Sequence, residues 1–414
     1  MVDQPGPATA AIPPPQAGVR GHGYQLPALD AMRAVGSLAV LLTHVGFQTG
    51  MTVNTSLGAM VARLDVGVAL FFGLSGLLLV LPWADTAFLP DPTPSTRSYL
   101  WRRALRILPA YWIAVVVALA LLPDNDNASP ATWVSNLFLV QIYSPGLIAP
   151  GLTQMWSLAT EVAFYLCLPL IAAGLVRAAR RWGLPGALVG SLALGLAGLT
   201  WTAWVQSTDV LDSSIATLWL PGYLPWFGVG LALGFVVAAH RARQGGAISR
   251  ALHGMARAPW STWGVALGVF LVASTPMAGP RGLAEFRSPT EALAKTTLYT
   301  LVVALILIPA TFGSQGVAHR ILVSPPMRWL GRISYGIFLW HLIVLAFAFQ
   351  ALHIFYFTGR FWTVALVTLV GSIAVAQLSW ALVEQPIQRW GRRRSARARR
   401  RSPAPPAALP ATKP

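Results

Sequence analysis

Apolar runs long enough to cross a lipid bilayer recur along almost the whole sequence, and no other feature restricts its fold so strongly. Each run has about 17 to 23 residues, and a helix of that length crosses the roughly 30 Å of hydrocarbon in a membrane. The chain is 55% hydrophobic and only 10% charged, whereas soluble domains are about 25% charged. We therefore predict an all-α protein, a polytopic membrane bundle of about ten transmembrane helices.

The predicted membrane helices are bounded by charged or Pro- and Gly-rich loops. They are Met32–Phe47, Val66–Trp83, Ile107–Leu122, Met155–Val176, Pro185–Val205, Leu218–Ala239, Trp260–Ser274, Leu293–Phe312, Ile333–Ala351 and Phe361–Val383. A shorter apolar piece, Ala131–Tyr143, carries Ser135, Asn136 and Gln141, which favours a re-entrant or interfacial helix. The predicted organisation is a disordered cytoplasmic tail at 1–26, a transmembrane domain at 27–388, and a basic, Pro-rich cytoplasmic tail at 389–414.

Membrane topology explains the net charge of +17, because the positions of the arginines correlate with the ends of the apolar segments. Arginines cluster at alternate ends of the apolar segments, on the side where both termini fall. The loops of the opposite side hold only Arg63, Arg281, Arg287, Lys295 and Arg360. The positive-inside rule then predicts a multi-pass protein of the inner (plasma) membrane with both termini cytoplasmic. The basic run from Arg389 to Arg401 favours contact with anionic membrane lipids; nucleic-acid binding is a weak alternative, and we predict no such partner.

Several kinds of site are disfavoured by the sequence. The only cysteine, Cys167, excludes an intrachain disulfide framework. The seven histidines are scattered and lack metal-binding helical spacing, so no metal site is predicted. Ser75 lies in a helix, outside any G-x-S-x-G elbow, which argues against a serine nucleophile.

His44 and Glu161 are candidates for acid–base chemistry inside the membrane. His44 follows Arg33 by eleven residues and lies about 16 Å above it in the outer half of the first helix. Glu161 lies at a similar depth in the antiparallel fourth helix. An imidazole oriented by a carboxylate suits a general base. The alternative is an intramembrane histidine that only packs or forms structural hydrogen bonds.

Arg103 and Arg106 share one helix face at the cytoplasmic entrance of the third helix, because they are three residues apart. Their forked donors suit the phosphates of a nucleotide-bearing donor such as coenzyme A. The alternative is ordinary positive flanking of a membrane helix, which is the role we assign to Arg102.

The motifs together resemble the acyltransferase-3 family of integral membrane acyltransferases over about residues 27 to 390. The motifs that carry this resemblance are Arg33 with His44, Phe71-Phe72-Gly73-Leu74-Ser75-Gly76, Arg103-x-x-Arg106 before Pro109-Ala110-Tyr111-Trp112, Trp156-Ser157-Leu158-Ala159-Thr160-Glu161-Val162-Ala163-Phe164-Tyr165, Ser334-Tyr335-Gly336-Ile337-Phe338-Leu339-Trp340-His341, and Glu384-Gln385-Pro386. The resemblance implies transfer of an acetyl, succinyl or longer acyl group, an activity in class EC 2.3.1.-. The donor is acyl-CoA, a co-substrate rather than a bound cofactor, and the acceptor is a hydroxyl of an envelope glycan, glycolipid or macrolide-like metabolite.

The resemblance also implies residue roles. It makes His44 and Glu161 the essential buried residues and assigns Arg33, with Arg103 and Arg106, to the donor. We place four further residues along the substrate path: Ser75, Trp156, Tyr165 and His341. For His341 the alternative is a structural hydrogen bond, and for Trp156 it is interfacial anchoring.

Two other classes of function compete with acyl transfer. Intramembrane His, Glu and Arg also build proton relays in secondary transporters or exporters. A catalytically silent scaffold for an envelope complex is a third possibility, in which His44 and Glu161 are replaceable without effect.

Overall fold

The computed structural model describes residues 26–53, 55–281, 286 and 288–401, with side chains up to residue 394. The predicted disordered tail, apart from Leu26, lies outside the described residues, as do Arg287 and residues 402–414 of the predicted basic tail. Helices and loops make up the described part of the chain, without strands.

The α-helices are numbered in chain order. They are α1 (Pro27–Thr49), α2 (Ser56–Ala62), α3 (Val66–Phe88), α4 (Thr96–Leu121), α5 (Pro130–Leu137), α6 (Met155–Ser207), α7 (Ser213–Ala216), α8 (Leu224–Arg241), α9 (Gly246–Arg257), α10 (Pro259–Ala273), α11 (Pro289–Phe312), α12 (Gly316–Leu322), α13 (Pro325–Ala351), α14 (Phe361–Ser379) and α15 (Gln385–Arg401). Short 3₁₀ helices lie at Arg63–Asp65, Pro123–Asn125, Gln141–Tyr143, Leu220–Tyr223 and Pro276–Ala278, and a π-helical turn, Trp380–Glu384, joins α14 to α15.

Eight spans in the described ranges are long and apolar enough to cross a membrane. The longest helix, α6, is two antiparallel arms, because Gly183 has a φ of 66° and a ψ of −162°. A Cβ on Gly186 would lie 2.5 Å from the carbonyl oxygen of Ala178, whereas residues eight apart in one straight helix are separated by about 12 Å. With these two arms and the shorter α10, helices cover all ten predicted segments, and the predicted all-α membrane bundle is confirmed.

Two helices begin well before their predicted starts. α4 begins about three turns before Ile107, and α13 begins about two turns before Ile333. The Ser95 hydroxyl accepts a hydrogen bond from the first turn of α4, and α13 begins with proline. Hydropathy marks only the lipid-facing part of a helix, whereas caps and prolines set its start.

The apolar piece before α6 does not span the bundle. The structure forms the eight-residue helix α5 and the 3₁₀ turn Gln141–Tyr143 there, with Ser135, Asn136 and Gln141 buried. The Asn136 side chain donates hydrogen bonds to two carbonyl oxygens, and the Tyr111 hydroxyl of α4 donates to the Asn136 carbonyl. These bonds satisfy polar groups that lipid could not satisfy.

Glycines bring α3 and α8 into backbone contact at the centre of the bundle. A Cβ on Gly230 would lie 2.0 Å from the carbonyl oxygen of Gly73, and one on Gly76 would lie 2.4 Å from that of Phe227. Close approach of this kind drives helix association in lipid, where burial of apolar side chains gains little. It fixes α3, which carries Ser75, within the core.

A buried arginine ties the start of α3 to the loop after α10. Arg63 is 2% exposed and donates to the carbonyl oxygens of Ala273, Ala278, Gly279 and Pro280 at 2.6–3.1 Å. Its charge is therefore spread over carbonyl dipoles, which offsets its burial.

Gly230→Ala should lower the thermal unfolding midpoint of the purified protein in detergent. The added Cβ meets the Gly73 carbonyl oxygen and must push α8 away from α3, and overpacking of this kind costs about 1–3 kcal/mol. Size-exclusion chromatography after stepwise heating measures the midpoint. Gly268→Ala in α10 is the matched control, because nothing lies within 4 Å of a Cβ there; equal midpoints for the two variants would contradict the packing described.

Candidate active site

Five helices surround a narrow, arginine-lined pocket of about 80 Å³, which we call the arginine pocket. α1 contributes Arg33, α4 contributes Arg103 and Arg106, and α6 contributes Glu161 and Tyr165. Further lining residues come from α3 and α13, among them Phe71, Ser75, Ser334, Tyr335 and Phe338. The predicted donor residues are thus brought together, although they come from two helices far apart in the sequence.

The lining of the arginine pocket carries more positive than negative charge. Arg33 forms an ion pair with Asp30 at 2.8 Å, one turn earlier in α1. Arg103 and Arg106 form no ion pair within the described ranges, and the Arg103 Nε is buried without a hydrogen-bond partner. Buried polar atoms usually have a partner, so the pocket has unused capacity for an anionic or polar ligand.

Glu161 is held by hydroxyl groups. The Ser75 hydroxyl of α3 donates a hydrogen bond to Glu161 Oε1, and the Tyr165 hydroxyl, one turn further along α6, interacts with the same carboxylate. Neutral donors hold the carboxylate in place while its charge balances part of the arginine charge.

His44 contacts His341, and their hydrogen bonds determine which nitrogens carry protons. His341 Nδ1 lies 2.7 Å from the Phe338 carbonyl oxygen, so Nδ1 donates and Nε2 keeps a lone pair. That Nε2 lies 3.2 Å from His44 Nδ1, which also lies 2.8 Å from the Val40 carbonyl oxygen. Two acceptors around Nδ1 place the proton of the neutral His44 ring there and leave its Nε2 as an acceptor.

The structure does not bring His44 and Glu161 together, so the predicted orientation of His44 by Glu161 is corrected. Phe338 lines the arginine pocket, and its ring packs 5.8 Å from Phe71 and 6.0 Å from His341. The hydrogen-bond partners of His44 are Val40 and His341, whereas Glu161 accepts from Ser75. Glu161 lines the pocket together with Arg33, which lies about 16 Å below His44 along α1, so the sequence argument failed because it misjudged the depth of Glu161 relative to His44.

Three of the four predicted substrate-path residues lie at the arginine pocket or the histidine pair, and the fourth lies at neither. Ser75 and Tyr165 line the arginine pocket, and His341 contacts His44. Trp156 lies in neither place, because its ring packs against Tyr223 and Phe72, with centroids 5.1 and 6.4 Å away.

Two residues near the site carried no prediction. Asp65, just before α3, is the carboxylate whose charge acts on His44, and it accepts hydrogen bonds from Lys295, at 2.7 Å, and from the Tyr299 hydroxyl. Tyr335 lines the arginine pocket and donates to the Ile107 carbonyl oxygen at 2.9 Å. The charged Arg63-Leu64-Asp65 before an apolar run could have drawn attention to Asp65.

The donor set of the site suits anions rather than metal ions. Within the described ranges, no group of three or more His, Cys, Asp or Glu side chains converges as metal ligands would. Guanidinium groups bind phosphates and carboxylates.

An apolar helix bundle with a histidine pair and an arginine pocket between its helices defines a multi-pass integral membrane protein. A family model described as an acyltransferase domain matches residues 26–383. The chain therefore belongs to the acyltransferase-3 family, as its motifs predicted, and the enzyme class is that of acyltransferases that transfer groups other than aminoacyl groups.

Known relatives cover most of the chain at low identity. YrhL of Bacillus subtilis is 28% identical over 407 residues, which is 89% of this chain and 56% of YrhL. The peptidoglycan O-acetyltransferase OatA of Listeria monocytogenes is 25% identical over 387 residues, 88% of this chain and 56% of OatA. The exopolysaccharide production protein ExoZ of Rhizobium meliloti is 29% identical over 373 residues, 86% of this chain and 96% of ExoZ. The chain thus spans about half the length of YrhL and OatA.

No solved structure matches the chain.

His341→Leu should lower the kcat of acyl transfer while leaving the KM for the acyl donor unchanged. The substitution removes one of the two acceptors that hold the His44 ring, and a lost buried hydrogen bond of about 1–3 kcal/mol corresponds to about 10- to 100-fold in rate. His341→Gln keeps a polar group in place and should recover part of the rate. Initial rates in membrane vesicles with labelled acyl-CoA test this; a Leu variant with the parental kcat would show that His341 only packs.

Proposed function

We propose that the chain is an integral membrane O-acyltransferase that moves an acyl group from acyl-CoA to a hydroxyl of an envelope glycan, with His44 as the general base. The observation that carries this proposal is the proton arrangement at His44. Its Nδ1 faces two acceptors, so the free Nε2 is the position that can accept a proton from an attacking hydroxyl.

The proposed reaction is a direct transfer. The acceptor hydroxyl gives its proton to His44 Nε2 while its oxygen attacks the thioester carbonyl. The C–O ester bond forms, the C–S bond breaks, and the departing thiolate takes the proton back from His44. General-base assistance of this kind contributes about 10²- to 10⁴-fold to a rate.

The acyl donor is assigned to the arginine pocket by charge. Arg103 and Arg106 lie at the end of α4 that the arginine distribution predicts to be cytoplasmic, where acyl-CoA is present. Their guanidinium groups suit the diphosphate of coenzyme A, and the orphan Arg103 Nε is a donor that this diphosphate would satisfy. The pantetheine arm then extends past Phe71 and Phe338 toward His44.

The acceptor is assigned from the relatives. OatA is named for O-acetylation of peptidoglycan and ExoZ for production of an exopolysaccharide. The acceptor group that both names imply is a sugar hydroxyl. His44 lies eleven residues beyond Arg33 in α1, so this hydroxyl would bind in the half of the bundle away from the donor phosphates. This arrangement requires both termini to be cytoplasmic and the protein to lie in the inner membrane.

His44→Gln should reduce acyl transfer by at least about 100-fold, because glutamine keeps a polar side chain but cannot accept the proton. The measurement is transfer of labelled acetyl groups in vesicles, normalised to folded protein. His319→Gln, outside both the arginine pocket and the histidine pair, is the matched control and should retain full activity. Full activity of the His44 variant would remove the general-base assignment.

Arg103→Ala should raise the KM for acetyl-CoA about tenfold or more, because a desolvated phosphate loses a charged partner. Arg102→Ala removes the same charge from a neighbouring, exposed position outside the pocket and should leave KM close to the parental value. Steady-state kinetics over a range of acetyl-CoA concentrations separates the two. Equal KM values for both variants would place the donor elsewhere.

A further inference from the structure

A second, larger cavity lies next to the arginine pocket, toward the ends of the helices where α1 begins. This cavity, which we call the lower groove, has a volume of about 740 Å³ and is lined by residues of α3, α6 and the segment that leads into α4. Three arginines of α6 contribute to it: Arg177, Arg180 and Arg181.

The lower groove continues the arginine pocket along the same helix faces. On α3, Leu79 lines the pocket and Trp83, one turn further, lines the groove. On α6, Tyr165 lines the pocket and Pro169, again one turn further, lines the groove. One turn is about 5.4 Å, so the two cavities are adjacent compartments between the same helices.

The junction of the two cavities contains polar atoms without partners. The rings of Trp83 and Tyr99 pack edge to face there, with centroids 4.9 Å apart. The Tyr99 hydroxyl is buried without a hydrogen-bond partner, and so is the Arg103 Nε, one turn along α4 on the pocket side. Buried polar atoms in native proteins usually have partners, and the Arg103 Nε, on a residue that lines the pocket, is one that a polar ligand there would satisfy.

The positive charge of the lower groove is complementary to the negative charge of a phosphate group. None of its three arginines forms an ion pair with a carboxylate in the described part of the chain. The Arg180 guanidinium donates a hydrogen bond of 2.9 Å to the Thr86 carbonyl oxygen, and the Arg181 guanidinium lies over the Trp182 ring, 5.3 Å from its centroid. The Arg177 side chain is exposed. The groove thus combines two guanidinium groups held by the protein with a third that can adapt to an anion.

We infer that the lower groove binds the adenosine 3′-phosphate end of coenzyme A while the diphosphate lies at Arg103 and Arg106. This inference rests on the proposed acyl-CoA donor. The arginine pocket, at about 80 Å³, is too small for a nucleotide, whereas about 740 Å³ falls within the range of about 300–1,000 Å³ that small-molecule sites occupy. The continuity of the two cavities favours one long donor over a lipid headgroup, which would need only the surface arginines.

The test compares acetyl-CoA with acetyl-3′-dephospho-CoA, which differs only by the phosphate assigned to the groove. Dissociation constants are measured by titration calorimetry on the full-length protein in nanodiscs of zwitterionic lipid. We expect the parental protein to bind acetyl-CoA about tenfold more tightly than the dephospho compound, and the double variant Arg177→Gln, Arg181→Gln to bind both equally. Arg320→Gln, an exposed arginine at the same end of the bundle, should keep the tenfold ratio.

Other outcomes would overturn the inference in distinguishable ways. If acetyl-CoA binds but the double variant keeps the parental ratio, the groove is not the 3′-phosphate site, and the proposed donor stands. If the parental protein binds neither compound, the proposed donor and this inference both fail. If the ratio is unchanged, and in a parallel measurement anionic lipid added to the nanodisc raises the unfolding midpoint of the parental protein but not of the double variant, the groove is a lipid headgroup site.

Discussion

The placement of guanidinium groups inside a lipid-surrounded bundle is the constraint on which the rest of the structure depends. Each buried charge costs several kcal/mol unless it is paired or hydrated. Arg63 donates hydrogen bonds to four carbonyl oxygens, and Arg33 forms an ion pair with Asp30. Arg103 and Arg106 are left with charge that Glu161 balances only in part. Such a pocket is costly when empty and favourable when filled by an anion, and the proposed donor phosphate would gain affinity from this difference.

Helix packing separates the anion site from the proton-transfer site. Glycine contacts hold α3 against α8, so Ser75 reaches Glu161 from one side of the pocket. Phe338 lines this pocket, and its ring also packs 6.0 Å from that of His341, so it contacts both sites. Under the proposed function, an acyl-CoA donor extended along the bundle would bridge the two sites, with its phosphates at one end and its thioester at the other. The separation keeps the arginines away from the imidazole, whose proton acceptance they would oppose.

The sequence predicts the fold well and the site only in part. Apolar run length is a local property, so all ten segments were found. The i, i+3 spacing placed Arg103 and Arg106 on one helix face, the family resemblance added Arg33, and all three line one pocket. The partners of His44 were not predicted, because the relative depth and direction of side chains on different helices depend on where each helix begins and on how the helices rotate against one another. His341 became a neighbour of His44 only through that packing.

The most direct test of the account is whether an acyl donor occupies the arginine pocket. A Ser75→Cys variant, made after the exposed Cys167 is replaced by serine, places one thiol in the pocket wall. The rate at which a small maleimide labels this thiol is measured with and without a saturating, non-hydrolysable acetyl-CoA analogue. The account predicts that the analogue slows labelling about tenfold or more, as expected for a site more than nine-tenths occupied. Equal labelling rates, with the analogue bound to the protein, would contradict it.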